Sequence, residues 1–352
     1  MNSGSSSLFG AEPISLHDLS FIEKNAPEII VWAAPIMFFF AILEYYISKK
    51  QKHDYYESKE TLGSVLVGVG NVIISFLIKA GLLLVTVLIY NLVPWRMEML
   101  WWTLLPCYVI WDFCSYWAHR TSHAQRFWWA THIVHHSGEK YNLTVSFRLS
   151  WVQHIKIVFF LPAMFMGFHP IIIFVTNQIA VLFQFWVHTE YIRKLHPVIE
   201  YIFATPSNHR VHHGSQEQYI DRNFGATFMI WDRMFGTYEP ERDKVKYGLT
   251  TNIKYKSNPL YINFHEYADI WKDLKAAKGF KSKVYAVFGS PIKIDQAKKR
   301  KALFVNIAKD IPTLVISNGT QKNFPKNLKP VPYLVKVPYS LNSPVIAELS
   351  AN

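Results

Sequence analysis

The sequence predicts an all-α integral membrane protein, a helical bundle of about four crossings with a histidine-rich cap on its cytoplasmic side. Three observations lead there. Half of the 352 residues are hydrophobic and 16% are aromatic, against 18% charged, too apolar for a disordered chain and unusual for a soluble one. Several apolar stretches are long enough to cross a bilayer. Nine of the 15 histidines form a spaced series: His119-x3-His123, His132-x2-His135-His136, a single His188, and His209-x2-His212-His213.

Residues 1–28 form a non-membrane segment. They carry Glu12, Asp18, Glu23 and Glu28, with Lys24 the only Lys or Arg, unlike a secretory signal, which begins basic and turns apolar. Transmembrane helices follow over 29–118. The first span, Ile29–Ile47, ends against Lys49, Lys50 and Lys52, which places that end in the cytoplasm. Leu62–Trp95 is interrupted only by Lys79; one helix of that length is about 50 Å long, so it is either a tilted crossing or a hairpin. Leu100–Ala118 is the next span. Trp151–Gly167 and Ile171–Val187 form a helical hairpin that turns at Phe168-His169-Pro170, because proline blocks helix continuation. Taking 62–95 as a single crossing puts Arg120, Arg126, Arg148, Arg193 and Lys194 on the cytoplasmic side with every clustered histidine. A double crossing there would reverse all of them, so the single crossing is preferred.

The histidine-box domain covers 119–240 and includes the hairpin 151–187. A cytoplasmic amphipathic cap is expected over 241–295, where Phe264, Tyr267, Trp271 and Leu274 recur at helical spacing. It lies on the membrane surface or packs over the histidine domain. A C-terminal tail over 296–352 opens with the basic run Lys298–Lys301 and includes the proline-rich piece 325–338. The net charge of +12 comes with no nucleic-acid-binding motif and sits beside apolar spans, which favours a membrane surface over nucleic acid. Cys107 and Cys114 share one apolar stretch, seven residues apart. They are too distant along a helix to bridge, and no cysteine-based zinc site exists.

An H-x2-H-H pattern is expected about 0.03 times by chance in such a chain, and it occurs here twice. Histidines three and four apart share a helix face, and neutral imidazole is the commonest metal ligand. One tetrahedral site takes four ligands, so eight or nine imply two metals. His196 could substitute for His188. His17, His53, His154, His169 and His265 lack partners at ligand spacing and are expected to be structural or solvent-facing. Asp112 lies deep in an apolar span, one helical face below His119, and is expected to accept a hydrogen bond from a ligand histidine. All-nitrogen ligation suits zinc, copper, iron or nickel. A site open to acyl chains needs a strong oxidant for an apolar C–H bond, and two irons can share the electrons that O2 reduction requires.

The series H-x3-H, H-x2-H-H, H-x2-H-H and the stretch Asn223–Tyr238 (NFGATFMIWDRMFGTY) resemble the fatty acid hydroxylase and sterol desaturase superfamily. HHSGEKYNL from His135, QFWVHTE from Gln184, TPSNHRVHHG from Thr205 and YGLT from Tyr247 narrow the similarity to its alkylglycerol monooxygenases. It runs from about Glu44 to Pro291. The resemblance implies a di-iron centre held by His119, His123, His132, His135, His136, His188, His209, His212 and His213. It also implies O2 and tetrahydrobiopterin as co-reactants and an ether lipid or alkylglycerol as substrate. Glu190 matches a family position and is assigned a supporting or pterin-related role. Asn208 departs from the family, which has another histidine there, and is expected to lie behind the ligands. The implied setting is a bacterial inner membrane or an endoplasmic reticulum membrane. Two alternatives share the histidines: a sterol or fatty acyl hydroxylase or desaturase fed by a cytochrome b5-like donor, and a non-enzymatic metal- or haem-binding membrane protein.

Overall fold

The computed structural model describes residues 9–310, so most of the expected C-terminal tail lies outside the described residues. The chain divides into two compact units, Met1–Ala268 and Asp269–Asn352. Among the described residues there are no strands, only two isolated bridges, Phe9 with Met97 and Phe203 with Phe228.

In the first unit a short helix α1 (Leu19–Asn25) precedes α2 (Ile29–Lys50) and α3 (Ser58–Leu92). Both stretches are long and apolar enough to cross a membrane. The α3 helix is unbroken over 35 residues, so the stretch read from sequence as either one helix or a hairpin is one helix, about 52 Å long. Glu57 starts it by accepting hydrogen bonds from the N–H groups of Lys59 and Glu60. Helices α4 (Leu104–Ala124) and α5 (Arg126–His136) follow almost without a break, turning where Gln125 adopts an extended conformation.

Two helical stretches, both shorter than expected, occupy the region read from sequence as a hairpin. A 3-10 helix (Gln153–Phe160) continues into α6 (Leu161–Phe165), and after Gly167 and His169 the chain enters α7 (Pro170–Phe183). Fourteen residues of α7 span about 21 Å, less than the ~30 Å hydrocarbon core. The His169 side chain accepts from the Ile171 N–H, and Pro170 occupies the first turn. A core of Ile89, Cys107, Trp111, Cys114, Ala163, Met164, Phe168, Ile172, Ile173 and Ala180 joins α3, α4, α6 and α7. Both cysteines in it are unbridged.

Three short helices complete the histidine region: α8 (Pro197–Ile202), α9 (Pro206–His212) and α10 (Ile230–Met234). Helix α11 (Pro259–Ala276) runs out of the first unit, and α12 (Phe280–Phe288) and α13 (Pro291–Asp310) belong to the second.

Candidate metal centre

The helices explain the spacing of the boxes. His119 and His123 lie one turn apart at the end of α4, where the apolar helix has become polar. His132, His135 and His136 occupy the last turns of α5. Thr205 caps α9 with its side-chain oxygen, Pro206 starts the helix, and His209 and His212 follow, with His213 at its end. His188 comes just after α7.

All nine converge, in two groups: His119, His123, His132, His136 and His212 in one, His135, His188, His209 and His213 in the other. Within each group the ring nitrogens lie within 4.8 Å of one another. Each H-x2-H-H box serves both groups. The i, i+4 pair His132/His136 faces one centre while His135 faces the other; on α9 the pair His209/His213 and the single His212 do the reverse. A residue three positions along a helix lies to one side of its starting point and a residue four along lies to the other, so one turn can serve two adjacent sites.

The contacts run through Nε2. In the first group His119 meets His132 at 2.8 Å, His132 meets His136 at 3.1 Å, and His136 meets His212 at 3.0 Å. In the second, His188 lies 3.1 Å from His135 and 3.0 Å from His209, and His213 lies 3.1 Å from His135 and 3.2 Å from His209. Backbone carbonyls hold the opposite ring atoms: His119 Nδ1 is 2.8 Å from the Phe224 oxygen, His212 Nδ1 3.0 Å from that of Arg222, and His188 Nδ1 2.8 Å from that of Gln184. A carbonyl can only accept, so these three Nδ1 atoms carry the proton and their Nε2 lone pairs are bare. His123 Nδ1 is 3.2 Å from Asp221 Oδ1, and its Nε2 is buried with no hydrogen-bond partner.

Burial opposes protonation of seven of these rings. His132, His135, His136, His209, His212 and His213 are held well below the usual imidazole range, first by desolvation and then by neighbouring charges, other histidines prominent among them. Desolvation pushes His188 down to about 4. Bare, converging, neutral ring nitrogens and an orphaned buried Nε2 are the donor set that a pair of transition-metal ions fits.

Asp112 sits elsewhere than expected. It accepts from the N–H groups of Thr227 (2.9 Å) and Phe228 (3.1 Å) and from Trp231 Nε1 (2.9 Å), and bonds no histidine. Asp232 likewise accepts from the N–H groups of Phe224 and Gly225, both at 2.7 Å. The two carboxylates clamp the 221–237 segment, whose leading loop supplies Asp221 and the carbonyls of Arg222 and Phe224. Asp112 therefore acts on the histidines only through this loop, and the carboxylate beside a histidine is Asp221. Its positive φ of 58°, accessible to Asp more readily than to most residues, left no spacing signal in the sequence.

Glu190 touches no histidine. It accepts from the Tyr247 hydroxyl at 2.5 Å, and Tyr247 stacks on Tyr141 with ring centroids 4.7 Å apart. Tyr141 in turn lies 5.3 Å from the His213 ring. Asn208 uses its amide on the carbonyls of Glu200 and Phe203, both at 3.2 Å, and so ties α9 to α8. His196 caps α8 and belongs to neither histidine group. Glu44 in α2 is buried and has no spacing signal in the sequence. It accepts from the Tyr56 hydroxyl (2.5 Å), the Leu143 N–H (2.8 Å) and the Thr189 hydroxyl, linking α2 to the residue after His188.

Residues 104–237 match the family model for fatty acid hydroxylase. The chain is 36% identical over 275 residues to alkylglycerol monooxygenase of Xenopus tropicalis, covering 76% of this chain and 60% of that one. It is 39% identical over 210 residues to the human alkylglycerol monooxygenase (58% and 44%) and 38% over 198 to that of Danio rerio (56% and 43%). The chain thus spans roughly half the length of these curated relatives. No solved structure matches it. All nine converging histidines lie within residues 104–237, the stretch that matches the fatty acid hydroxylase model, in a chain similar to alkylglycerol monooxygenases.

Proposed function

We propose that the protein is a membrane-bound di-iron monooxygenase. It hydroxylates the carbon next to the ether oxygen of an alkylglycerol lipid and releases a fatty aldehyde and a glycerol derivative. The observation that carries this reading is the convergence of nine imidazoles into two groups, in a chain whose relatives are alkylglycerol monooxygenases. His119, His123, His132, His136 and His212 hold one ion, and His135, His188, His209 and His213 the other. When bound, two irons supply the activation of O2, with tetrahydrobiopterin as the source of two electrons.

The chain's own residues do the rest. The carbonyls of Phe224, Arg222 and Gln184 and the Asp221 carboxylate fix the rings so that Nε2 faces inward, as groups behind metal ligands commonly do. His188 is 2% exposed and His212 3%, so bulk water is kept away from a reactive oxidant. Glu190, Tyr247 and Tyr141 form a polar and aromatic layer beside His213, and this layer is our assignment for the pterin-side wall. The reacting C–H bond is weakened because the adjacent ether oxygen stabilises developing positive charge. One oxygen atom enters that bond and the other leaves as water, and the hemiacetal collapses to aldehyde and free hydroxyl. The same reading takes about four crossings, with the histidines on the cytoplasmic side of a bacterial inner membrane or an endoplasmic reticulum membrane.

Detergent-purified protein should contain about two iron atoms per chain and form aldehyde from labelled alkylglycerol only when tetrahydrobiopterin is added. His136→Ala and His212→Ala should insert normally and make no aldehyde. Turnover driven by a cytochrome b5-like donor, with sterol or acyl substrates and no pterin requirement, would move the chain to another activity of the same superfamily. One haem and no other metal would end the enzymatic reading.

A further inference from the structure

We infer that α12 of the second unit is an interfacial anchor, seating an apolar ridge in the headgroup region of an anionic bilayer. This goes beyond the spanning helices, which hold the first unit, and it does not depend on what the histidines bind.

The helix has two unlike faces. Ser282 and Ala286, one turn apart, are buried, and Ala286 packs with Ala277 and Ile294 in a small core of this unit's own. On the opposite side Phe280, Val284 and Phe288 follow at intervals of four and are 82%, 42% and 49% exposed. Side chains at i, i+4 and i+8 form one stripe along a helix. At about 100° per residue, Lys281 and Lys283 flank that stripe on its two sides. Both lysines are exposed.

An outward face of a helix on a small core is ordinarily polar. Here the inward face is the small, narrow one and the outward face carries two phenylalanines. A helix with an aromatic and aliphatic stripe bordered by lysines has the composition of one lying in the plane of a membrane interface. The charge of this unit's described part points the same way: residues 269–310 contain eleven Lys and Arg against four Asp and no Glu. Trp271 is 57% exposed, with Lys275 stacked over its ring at 4.8 Å, an amphipathic pair of the kind enriched at membrane interfaces. Lysines near a surface of anionic lipid contribute about 1 kcal/mol each, whereas a neutral protein partner would leave that charge without a complement.

The test places an environment-sensitive nitrobenzoxadiazole label on Val284→Cys in the full chain. Cys107 and Cys114 are buried, so labelling at 284 is selective. The protein is reconstituted into nanodiscs of phosphatidylcholine alone or with phosphatidylglycerol. In the anionic discs the label should shift to the blue, and nitroxide-bearing lipid should quench it several-fold more than in the neutral discs. Adding Lys281→Glu and Lys283→Glu should abolish the difference between the two lipids. A label that stays solvent-like in both discs overturns the inference. So does one that is shielded from lipid quencher in both discs and in detergent, which would show α12 covered by protein.

Discussion

Asp221 is the side chain whose removal reports most directly on the cage. It is 44% exposed at its side chain, so it adds little to the core, yet it is the one carboxylate bonded to a clustered histidine among the described residues. A carboxylate behind a metal-binding histidine fixes the ring and raises its basicity, and its loss typically costs 10–100-fold in metal affinity. Asp221→Ala should therefore fold and insert as the parent does but release iron to a chelator about 10–100-fold more readily; an unchanged release rate refutes the role. Protons act on the same cage. A histidine in the unfolded chain binds a proton near 6.5, whereas His188 folded does so only at about 4. The unfolded state thus takes up protons that the folded state refuses, and stability present above pH 6.5 is lost as pH falls toward 4. Thermal melts of metal-stripped protein should show a falling midpoint from pH 7 to pH 5, and a flat profile would mean the rings are not held neutral by burial. At this scale the ligand-type residues were legible because a helical period of three and four leaves a mark in the sequence. Asp221, Glu44 and the carbonyl oxygens of Arg222 and Phe224 were not, since contacts across 98 or 99 positions and backbone atoms leave none. Asp112 was legible as a buried acid but not by partner: desolvation demands some donor, and peptide N–H groups satisfied it in place of an imidazole.

Helices carry the cage, and one of them is held by the absence of a side chain. Gly63 lies near the start of α3, where a Cβ would come within 2.1 Å of the Lys256 carbonyl oxygen and 3.0 Å of Ile262. The same turn of α3 carries Glu60, which accepts from the N–H groups of Glu139 and Lys140, both at 3.0 Å, and pairs with Lys256 at 2.9 Å. The 253–256 loop and the segment just after α5 thus both rest on α3, which fixes α5 from behind. Because the clash is with backbone, no rotamer relieves it. Gly63→Ala should destabilise the protein by about 1–3 kcal/mol, the usual cost of overpacking. It should also raise hydrogen exchange in 253–256 and 139–140 ahead of the rest of the chain. Exchange that rises evenly, or not at all, would show that the contact is not what seats the loop. Apolar runs located α2, α3 and α4 but said nothing of this docking. The hairpin differs for a related reason: a run of apolar residues reports burial, and lipid and protein bury it alike. Much of 151–187 is spent on the core with Cys107, Trp111 and Cys114, so its arms are shorter than a crossing.

For the whole molecule, the apolar runs and their flanking lysines predict an orientation that can be checked residue by residue. In the proposed topology α2 ends in Lys49 and Lys50 on the cytoplasmic side, α3 would carry the chain across to Trp95 and α4 would bring it back to His119. In that topology the histidine region, including the basic loop at Arg193 and Lys194, would face the cytoplasm, and Glu98 between α3 and α4 would face the other side. Both copper and iron chemistry tolerate either side, but a soluble reduced pterin is a cytosolic reductant, so the proposed electron supply requires this orientation. In a cysteine-depleted background, Glu98→Cys should react with a membrane-impermeant maleimide applied to intact cells or sealed vesicles from the non-cytoplasmic side, whereas Lys194→Cys should react only after permeabilisation. Labelling of Lys194→Cys from outside would place the histidines away from the cytoplasm and remove tetrahydrobiopterin as the donor, while leaving the two-group geometry of the cage untouched. Labelling of neither position from outside, with both reactive after permeabilisation, would mean that α3 and α4 enter and leave the bilayer on one side.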